Sequence, residues 1–480
     1  MTPDELHTHI ETVRRLKTDT DTLEAKSAVG GLPQNLWRSL SAFSNTRGGS
    51  VVLGIEERTG NVVGVKNAAR MQHELGCMCA DMDPSIRPRI QSHRIEGHMV
   101  VTAEVPEIDK QVKPCYYKSA GYVNGAYVRV SDGNRKLSPY EVHMMLSGRG
   151  QPKDDEVPVA GTDTDDLDPR IVRGFLSRLR RRPNGHFSKL SDDKILRTVK
   201  VLVPERNHYV CSTAGILALG KYPQQFFPAL GITFVVYPGM KVGEPGGGNE
   251  RFLDNERIDG PIPSMLGPTL RVLRRNMKTR SVVRGLYRAD TDEYPLTALR
   301  EAIVNALAHR DLSQWGQGSP VQVQLFSDRL IVHNPGGLYG PVTVESLGKE
   351  GISASRNLLL LKILEDTPTG GRNVVCENRG SGVGAMLQAL RSAGLPDAEF
   401  EDKISTFRVT IYNTPAQKGR RAEILAMLRT YGDLSAAEVA RRLRMSAVGA
   451  RKWLATMRDD DLIEATALGK SKNMKYRVKG

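Results

Sequence analysis

The sequence has 480 residues, of which 39% are hydrophobic and 25% are charged, and this composition excludes a wholly disordered protein. A chain of this length has room for about two to four domains. Lys and Arg total 68 against 54 Asp and Glu, so the formal net charge is +14, which bears on binding partners only where it is concentrated.

Neither membrane insertion nor export is expected from the sequence. No apolar run approaches the ~18 residues of a transmembrane helix, and the N-terminus has no basic segment followed by an apolar one. The five cysteines are thinly spread, which favours reduced thiols. We therefore predict a cytoplasmic protein without a membrane partner.

The first segment, residues 1–147, alternates helical and strand patterns. A helical pattern covers 34–45 and a buried strand pattern covers 50–55. Further strands are predicted at 98–105 and 122–130. This alternation predicts a mixed α/β domain.

The middle of the chain begins with a linker-like stretch. Residues 148–168 are acidic and rich in Pro, Gly and Thr, which predicts a linker, and 169–284 are predicted to form a connecting α/β region. A strongly patterned helix is predicted at 299–310, followed by strands at 321–326 and 329–333. This succession predicts a helical layer over a mostly antiparallel sheet.

The basic surplus lies largely at the C-terminal end. Residues 418–480 contain 15 Lys and Arg against 7 Asp and Glu, so +8 of the +14 is found there. Three short helical patterns precede a basic hairpin, and the second helix opens with the capping box Ser435-Ala-Ala-Glu438.

The densest group of polar residues lies on the helix predicted at 299–310. Glu301 and Asn305 are four residues apart, hence on one face, and His309 extends that face. A carboxylate and an amide in this arrangement suit a water-activating base beside a Mg²⁺ ligand. Taken alone, the motif favours a solvated polar stripe instead.

Two glycine-rich turns favour a ligand-binding site over a solvated polar stripe. They are Asn334-Pro-Gly-Gly-Leu338 and Glu377-Asn-Arg-Gly-Ser-Gly-Val-Gly384, the second running into a helical pattern. Glycine lets the backbone approach a ligand, and a helix N-terminus offers free N–H groups to phosphate. Either turn by itself could equally be a simple tight turn.

Glu-x-x-x-Asn, Asn-x-Gly-Gly and Gly-x-Gly-x-Gly in this order resemble the GHKL (Bergerat-fold) ATP-binding domain of gyrase, ninety-kilodalton heat-shock chaperones and histidine kinases. The stretches Asn305-Ala-x-x-His309-Arg310-Asp311 and Arg356-Asn357 are similar to the divergent GHKL domain of bacterial Schlafen-related transcriptional regulators. The resemblance places an α/β sandwich of this type at residues 285–413.

The resemblance implies a site for ATP and Mg²⁺. Glu301 would be the base for water, and Asn305 would hold Mg²⁺. The other implied cofactor-binding residues are His309, Asn334, Gly336, Gly337, Gly380, Gly382 and Gly384. The superfamily usually has Asp where Asn334 stands, and a neutral acceptor of the adenine amino group is weaker than a charged one. A weak ATPase activity and a purely conformational role for bound ATP both remain open.

The first 147 residues are similar to the Alba-like Schlafen N-terminal domain. The stretches Ala42-Phe-Ser-Asn-Thr-Arg-Gly-Gly49 and Tyr127-Val-Arg129 carry this resemblance. It implies RNA or DNA binding. In an alternative, the carboxylates Asp19, Glu24 and Glu56 or Glu57 would bind metal and cleave a phosphodiester, as in some Schlafen relatives.

Residues 418–480 resemble a winged helix-turn-helix domain. Arg451 and Lys452 would lie on the groove-facing helix, and Lys470, Lys472 and Lys475 on the wing near phosphates. The alternative is a protein-binding winged helix with a solvated basic face.

Together these features predict a multidomain α+β protein with an Alba/Schlafen-like domain, a GHKL-like core and a C-terminal winged helix. The predicted function is ATP-controlled DNA binding by a transcriptional regulator. The alternative is an ATP-controlled, metal-dependent nuclease acting on RNA or DNA. Self-association of the chain is left open.

Overall fold

A computed structural model describes the chain apart from residues 132, 184, 245–249, 285–286, 350–352, 371–372, 377–379, 414, 444, 461, 467–473 and 480, and without the side chains of 279–284, 287–291, 370, 373 and 415–419. Residues 1–150 and 151–478 form two compact units. Within the described residues, no helix combines the length and apolar character needed to cross a bilayer.

The first unit is a mixed α/β fold. Its helices are α1 (Pro3–Leu16), α2 (Trp37–Asn45), α3 (Ala68–Ala80), α4 (Gly121–Gly125) and α5 (Pro139–Ser147). Its strands are β1 (Leu23–Lys26), β2 (Gly49–Leu53), β3 (Met82–Asp83), β4 (Arg89–Ile95), β5 (His98–Val105), β6 (Tyr116–Tyr117), β7 (Tyr127–Val130) and β8 (Gly133–Lys136).

A four-stranded sheet in the order β1-β2-β5-β4 is covered on both faces along β2, whereas only Ile95 of the edge strand β4 is buried. On β2, Val51 and Leu53 face the cluster formed with α2 and α3, whereas Val52 faces the cluster formed with α1. This follows from strand geometry, in which successive side chains point to opposite faces. Of the predicted strand at 122–130, only the second half is a strand, because its start is the short helix α4.

The second unit contains the remaining elements. Its helices are α6 (Pro169–Arg180), α7 (Asp192–Thr198), α8 (Thr213–Leu219), α9 (Ile262–Asn276), α10 (Leu296–His309), α11 (Leu358–Asp366), α12 (Gly382–Ser392), α13 (Pro415–Tyr431), α14 (Ala436–Arg442) and α15 (Ala447–Asp459). Its first strands are β9 (Leu202–Glu205), β10 (His208–Cys211), β11 (Ile232–Val236), β12 (Asp254–Ile258), β13 (Thr279–Arg284), β14 (Tyr287–Asp292), β15 (Val321–Leu325) and β16 (Arg329–Pro335). The others are β17 (Pro368–Gly370), β18 (Asn373–Val374), β19 (Glu399–Lys403), β20 (Thr406–Tyr412), β21 (Leu434–Ser435), β22 (Ile463–Ala465) and β23 (Lys475–Val478).

The centre of this unit is a six-stranded sheet in the order β12-β11-β15-β16-β20-β19. Strands β11 and β15 pair in parallel, and the other neighbours pair antiparallel. The apolar sides of α10 and α12 pack on one face, with Ile303, Met386 and Leu390 in the core. Two of the six strands precede residue 285, so the predicted boundary at 285 divides one sheet.

The acidic segment predicted as a linker is packed within the second unit. Asp155 is buried, and its Oδ2 accepts a hydrogen bond of 3.0 Å from the Leu360 backbone N–H at the start of α11. Pro158 and Leu167 form isolated bridges with Ser212 and Gly220. The segment lacks an apolar period, so its composition predicted a linker. In the structure, backbone pairing and the buried carboxylate of Asp155 hold the segment in place.

The chain ends in three helices and a three-stranded sheet. Helices α13, α14 and α15 pack on the strand order β21-β23-β22 around a small core that includes Ile424, Leu454 and Ile463. The predicted capping box is present: Ser435 and Glu438 bond reciprocally at the start of α14.

Candidate functional site

A cavity of about 710 Å³ lies between α10, α12 and one face of the six-stranded sheet. Glu301, Asn305 and His309 project into it from successive turns of α10, as their spacing predicts. The lining includes Val332 and Asn334 from β16, Phe407 and Val409 from β20, Gly337 and Gly380 from turns, and Gly382 and Val383 from α12.

The two predicted asparagines line this cavity, and each has one polar atom without a hydrogen-bond partner. They are Nδ2 of Asn305 and Oδ1 of Asn334, and both atoms are buried. A buried polar group without a partner costs about 1–3 kcal/mol. These two groups therefore mark places where a ligand's acceptor and donor groups would be stabilised.

Arg300 is a cavity residue that the sequence patterns did not identify. Its Nη1 is 2.5 Å from Oε1 of Glu301, and its Nη2 donates to the carbonyls of Val374 and Val375 at 2.9 and 2.7 Å. The guanidinium therefore fixes the Glu301 carboxylate beside the cavity. Adjacent residues on a helix do not share a face, so helical spacing gave no signal for this pair.

His309 lines the cavity as a neutral ring. Burial and the nearby charge of Arg356 lower the pKa of His309 to about 4. At neutral pH the imidazole can accept or donate one hydrogen bond, but it adds no positive charge for phosphate.

The predicted glycines differ in what they do. A Cβ on Gly382 would lie 2.7 Å from Oε2 of Glu301, so glycine keeps this wall of the cavity open. Gly336 has φ +92° and turns the chain against Asp311. Gly336 and Gly384 are not part of the described cavity lining. Residues 377–379 of the second glycine-rich motif lie outside the described residues.

The donor set fits a nucleotide with a weakly held Mg²⁺. Within the described part of the chain, no group of three or more His, Cys, Asp or Glu is arranged to hold a metal ion. Mg²⁺ commonly uses few protein groups together with phosphate oxygens and water. Glu301 and Asn305 are the cavity residues that could hold such an ion.

The N-terminal carboxylates meet around one lysine. Nζ of Lys26 lies 3.2 Å from Asp19, 3.1 Å from Glu24 and 2.8 Å from Glu57. Of the two candidates for the third carboxylate, Glu56 is exposed and accepts a hydrogen bond from Thr59, so the third member of the cluster is Glu57.

The surroundings of this cluster give its two buried carboxyl groups, Asp19 and Glu24, different pKa values. Burial and the neighbouring Glu24 raise the pKa of Asp19 to about 7. Burial opposes ionisation of Glu24 as well, but the charges of Lys26 and Arg129 outweigh it and lower the pKa of Glu24. Nη1 of Arg129 is 2.6 Å from Oε2 of Glu24. The cluster thus holds one firmly ionised carboxylate and one that titrates near neutrality.

The predicted DNA-contacting residues are exposed where they are described. Arg451 and Lys452 lie on α15, and Lys475 lies on β23. Lys452 has its Nζ 3.5 Å from Oε1 of Glu244. Lys470 and Lys472 lie outside the described residues.

Three family models match parts of the chain. Residues 19–138 match "Schlafen, AlbA_2" and residues 318–411 match "Putative ATP-dependent DNA helicase recG C-terminal", an ATPase-like family. Residues 143–232 match a domain of unknown function, DUF8451. The ATPase-like match contains Asn334 and the glycine-rich turns, and it begins after Glu301, Asn305 and His309.

Two solved structures show distant similarity. The DIP2311 protein from Corynebacterium diphtheriae is 19% identical, with 99% of this chain and 97% of that chain covered and a TM-score of 0.40. The N-terminal domain of a RecG-related protein from Nitrosomonas europaea is 24% identical, with 27% and 92% covered and a TM-score of 0.22. Neither likeness is close enough to support an inference. A comparison with curated proteins gave no match.

The family matches confirm the Schlafen-type and ATPase-like resemblances that the motifs indicated. The carboxylate cluster belongs to the Schlafen-type region, and part of the cavity belongs to the ATPase-like region. The chain thus contains a region that matches a Schlafen family model, residues 19–138, and a region that matches an ATPase-like family model, residues 318–411.

Proposed function

We propose that the cavity binds Mg²⁺-ATP, that the C-terminal region binds double-stranded DNA, and that nucleotide occupancy controls DNA binding. The observation that carries this proposal is the pair of buried, unpartnered amide atoms of Asn305 and Asn334 in one cavity. The Oδ1 atom of Asn334 would accept from an adenine amino group. Glu301 and Asn305 would meet the metal and phosphates.

Each polar residue in the cavity has a distinct part in this proposal. Bound Mg²⁺ would supply charge neutralisation for the phosphates. Glu301 is the group that would accept a proton from water, and Arg300 restrains its carboxylate through the contact at 2.5 Å. The opening at Gly382 gives the ligand access to that carboxylate.

Calorimetry on the intact protein tests nucleotide binding. Wild type is expected to bind Mg²⁺-ATP, and Asn305→Ala is expected to lose binding, at least about tenfold in affinity, or about 1.4 kcal/mol. Asn255→Ala, on an exposed position of β12, is the matched control and should bind as wild type does. Absence of heat in the wild-type titration would overturn the proposal.

DNA binding is supported by the order of elements at the C-terminus. Helices α14 and α15 followed by β22 and β23 have the succession of a winged helix-turn-helix, and residues 418–480 hold +8 of the net charge. Arg451 and Lys452 are exposed on α15, the helix that would enter the major groove.

Salt-dependent binding to duplex DNA tests this part. Affinity is expected to fall steeply with salt because counterions are released from phosphates. The double variant Arg451→Ala, Lys452→Ala should weaken binding about tenfold or more. The double variant Arg170→Ala, Lys194→Ala removes the same charge from exposed positions outside the C-terminal region and should have little effect. Equal binding by both double variants would exclude α15 as the contact.

A second candidate function is metal-dependent cleavage of RNA or DNA by the N-terminal unit. The observation that favours it is the meeting of Asp19, Glu24 and Glu57 at one point. Lys26 occupies the centre of this group, so a divalent cation would have to displace its ammonium.

Incubation with Mn²⁺ and labelled tRNA or DNA separates the two functions. Cleavage that is lost in Glu24→Gln and retained in the matched variant Glu56→Gln would support the nuclease. No cleavage by wild type, or equal cleavage by both variants, would exclude it.

A further inference from the structure

Two strands of the six-stranded sheet contact the cavity on one face and the C-terminal region on the other. Val332 and Asn334 of β16 and Phe407 and Val409 of β20 line the cavity. Because side chains alternate along a strand, the intervening positions face away from it. These outward positions include Arg329 on β16 and Arg408 and Tyr412 on β20, and Arg329 pairs directly with Tyr412 in the ladder.

On that outer face, one carboxylate of the C-terminal region joins two buried arginines. Oδ1 of Asp460 is 2.9 Å from Nη2 of Arg329, and Oδ2 of Asp460 is 2.7 Å from Nη2 of Arg421. The whole residues Arg329 and Arg421 are only 1% and 4% exposed. Arg329, Arg421 and Asp460 are called the Asp460 latch below.

The latch pairs opposite charges, although Nε of Arg329 and both Nε and Nη1 of Arg421 are buried without a hydrogen-bond partner. Nη1 of Arg329 contacts both oxygens of Asp328 at 2.9 Å, so two carboxylates meet two guanidinium groups. The guanidinium of Arg421 lies 5.6 Å from the ring centroid of the fully buried Tyr412. Charges buried in this way are costly when separated, by about 3–5 kcal/mol if one partner is removed.

The closed latch places α15 where its DNA-binding face is opposed by negative charge. Asp460 directly follows α15, and its neighbour Asp459 pairs with Lys241 at 3.2 Å. The segment that contains Lys241 also contains Glu244, and Oε1 of Glu244 lies 3.5 Å from Nζ of Lys452. A carboxylate beside Lys452 neutralises a cation that would otherwise meet a DNA phosphate.

We propose that the Asp460 latch transmits occupancy of the cavity to α15. A ligand bound against Asn334 shifts β16, the contact between Arg329 and Asp460 opens, and α15 is released from Glu244 for DNA binding. This inference rests on the proposed function. It requires that nucleotide bind the open form more tightly than the closed form, because a ligand shifts an equilibrium only by its differential affinity.

DNA affinity with and without a non-hydrolysable ATP analogue tests the latch. In wild type the analogue is expected to raise affinity for a labelled duplex at least about fivefold, within the usual range of coupling between sites. Asp460→Asn should bind DNA tightly in both conditions, so the ratio falls to about one. Asp433→Asn removes a carboxylate charge from an exposed position of the C-terminal region outside the latch and should keep the wild-type ratio. An Asp460→Asn variant with the wild-type ratio would overturn the inference.

If Asp460→Asn does not fold, amide hydrogen exchange of the wild-type protein, measured with and without the analogue, tests the latch instead. The analogue is expected to increase amide exchange in α15 and at Asp460. Unchanged exchange, with binding of the analogue shown by calorimetry, would contradict the latch and leave nucleotide binding intact. Absence of binding in the calorimeter would instead remove the proposed function, and the latch with it.

Discussion

The cavity of the second unit and the carboxylate cluster of the first unit are both buried and polar, but they differ in how their polar groups are satisfied. In the cavity, Asn305 and Asn334 each keep an atom without a partner. In the cluster, Lys26 contacts all three carboxylates, and Arg129 adds a contact of 2.6 Å to Glu24.

The cavity therefore has polar groups that a ligand could pair with, whereas the polar groups of the cluster are already paired with each other. Unpaired buried groups cost free energy that a ligand can recover, so the cavity gains from binding. The cluster already has its cation in the ammonium of Lys26, and a metal ion there competes with a group of the chain. Changes to the cluster should therefore act on stability, and changes to the cavity should act on binding.

The largest effect is expected at Arg129. Its guanidinium donates to the carbonyls of Thr20 and Leu23 as well as to Glu24. Arg129→Ala leaves the buried Glu24 with Lys26 as the remaining cation and removes the side-chain donor to two backbone carbonyls, so it should lower the free energy of unfolding by about 3–5 kcal/mol. Urea denaturation measures this.

Arg135→Ala is the control for that change. Arg135 is half-exposed and pairs with Glu141 at 2.7 Å, so its loss should cost about 1 kcal/mol or less. Equal destabilisation by the two variants would contradict the view that the cluster is a structural unit.

The next effect is a pH dependence from Asp19. Burial and Glu24 raise the pKa of Asp19 to about 7 in the folded protein, whereas an unfolded Asp has a pKa of about 4. The folded state therefore holds more protons than the unfolded state between these values. This contribution to stability is full below about pH 4 and is lost as pH rises to about 7, with a slope of up to about 1.4 kcal/mol per pH unit.

Asp19→Asn should remove that part of the slope. The difference in unfolding free energy between wild type and variant, measured at several pH values, isolates it. Asp81→Asn, at an exposed position, should leave the wild-type slope unchanged. A slope that persists in Asp19→Asn would assign the pH dependence to other groups.

A smaller effect is expected when the cavity wall is filled. Gly382→Ala places a methyl group 2.7 Å from Oε2 of Glu301 and should weaken ATP binding about fivefold, or about 1 kcal/mol. Gly384→Ala is the matched control, because its Cβ would have its nearest contact at 3.7 Å, the carbonyl oxygen of Gly348. Loss of affinity in Gly384→Ala alone would show that the wall at Gly382 does not face the nucleotide.

The smallest effect is the stability of Asn305→Ala. Removal of the unpartnered Nδ2 atom of Asn305 and the gain in helix propensity are stabilising, whereas the loss of side-chain packing is destabilising. Because these contributions oppose each other, the free energy of unfolding should change by about 0.5 kcal/mol or less. Thermal unfolding of the ligand-free protein measures it. Destabilisation by about 2 kcal/mol or more would show that Asn305 stabilises the fold, as Arg129 is expected to do. That result would contradict the distinction between a ligand-binding cavity and a structural cluster.

Helical spacing predicted the face of α10 that enters the cavity, and motif order predicted which turns approach it. Both are local properties. Period and capping also predicted α14, because the box formed by Ser435 and Glu438 needs only four residues.

Features that depend on long-range pairing were not predictable in this way. The strands β11 and β12 join a sheet whose other members begin at residue 321, and no local pattern indicates that partnership. The choice of Glu57 over Glu56 depends on which carboxylate can reach Lys26. Arg300 was missed because its contact with Glu301 joins neighbours in sequence.

The most direct test of the central claim is a crystal structure with Mg²⁺ and a non-hydrolysable ATP analogue. The account predicts the adenine amino group within hydrogen-bond distance of Oδ1 of Asn334, and the metal beside Asn305 and Glu301. A nucleotide bound outside this cavity, or a cavity that stays empty at saturating analogue, would contradict it.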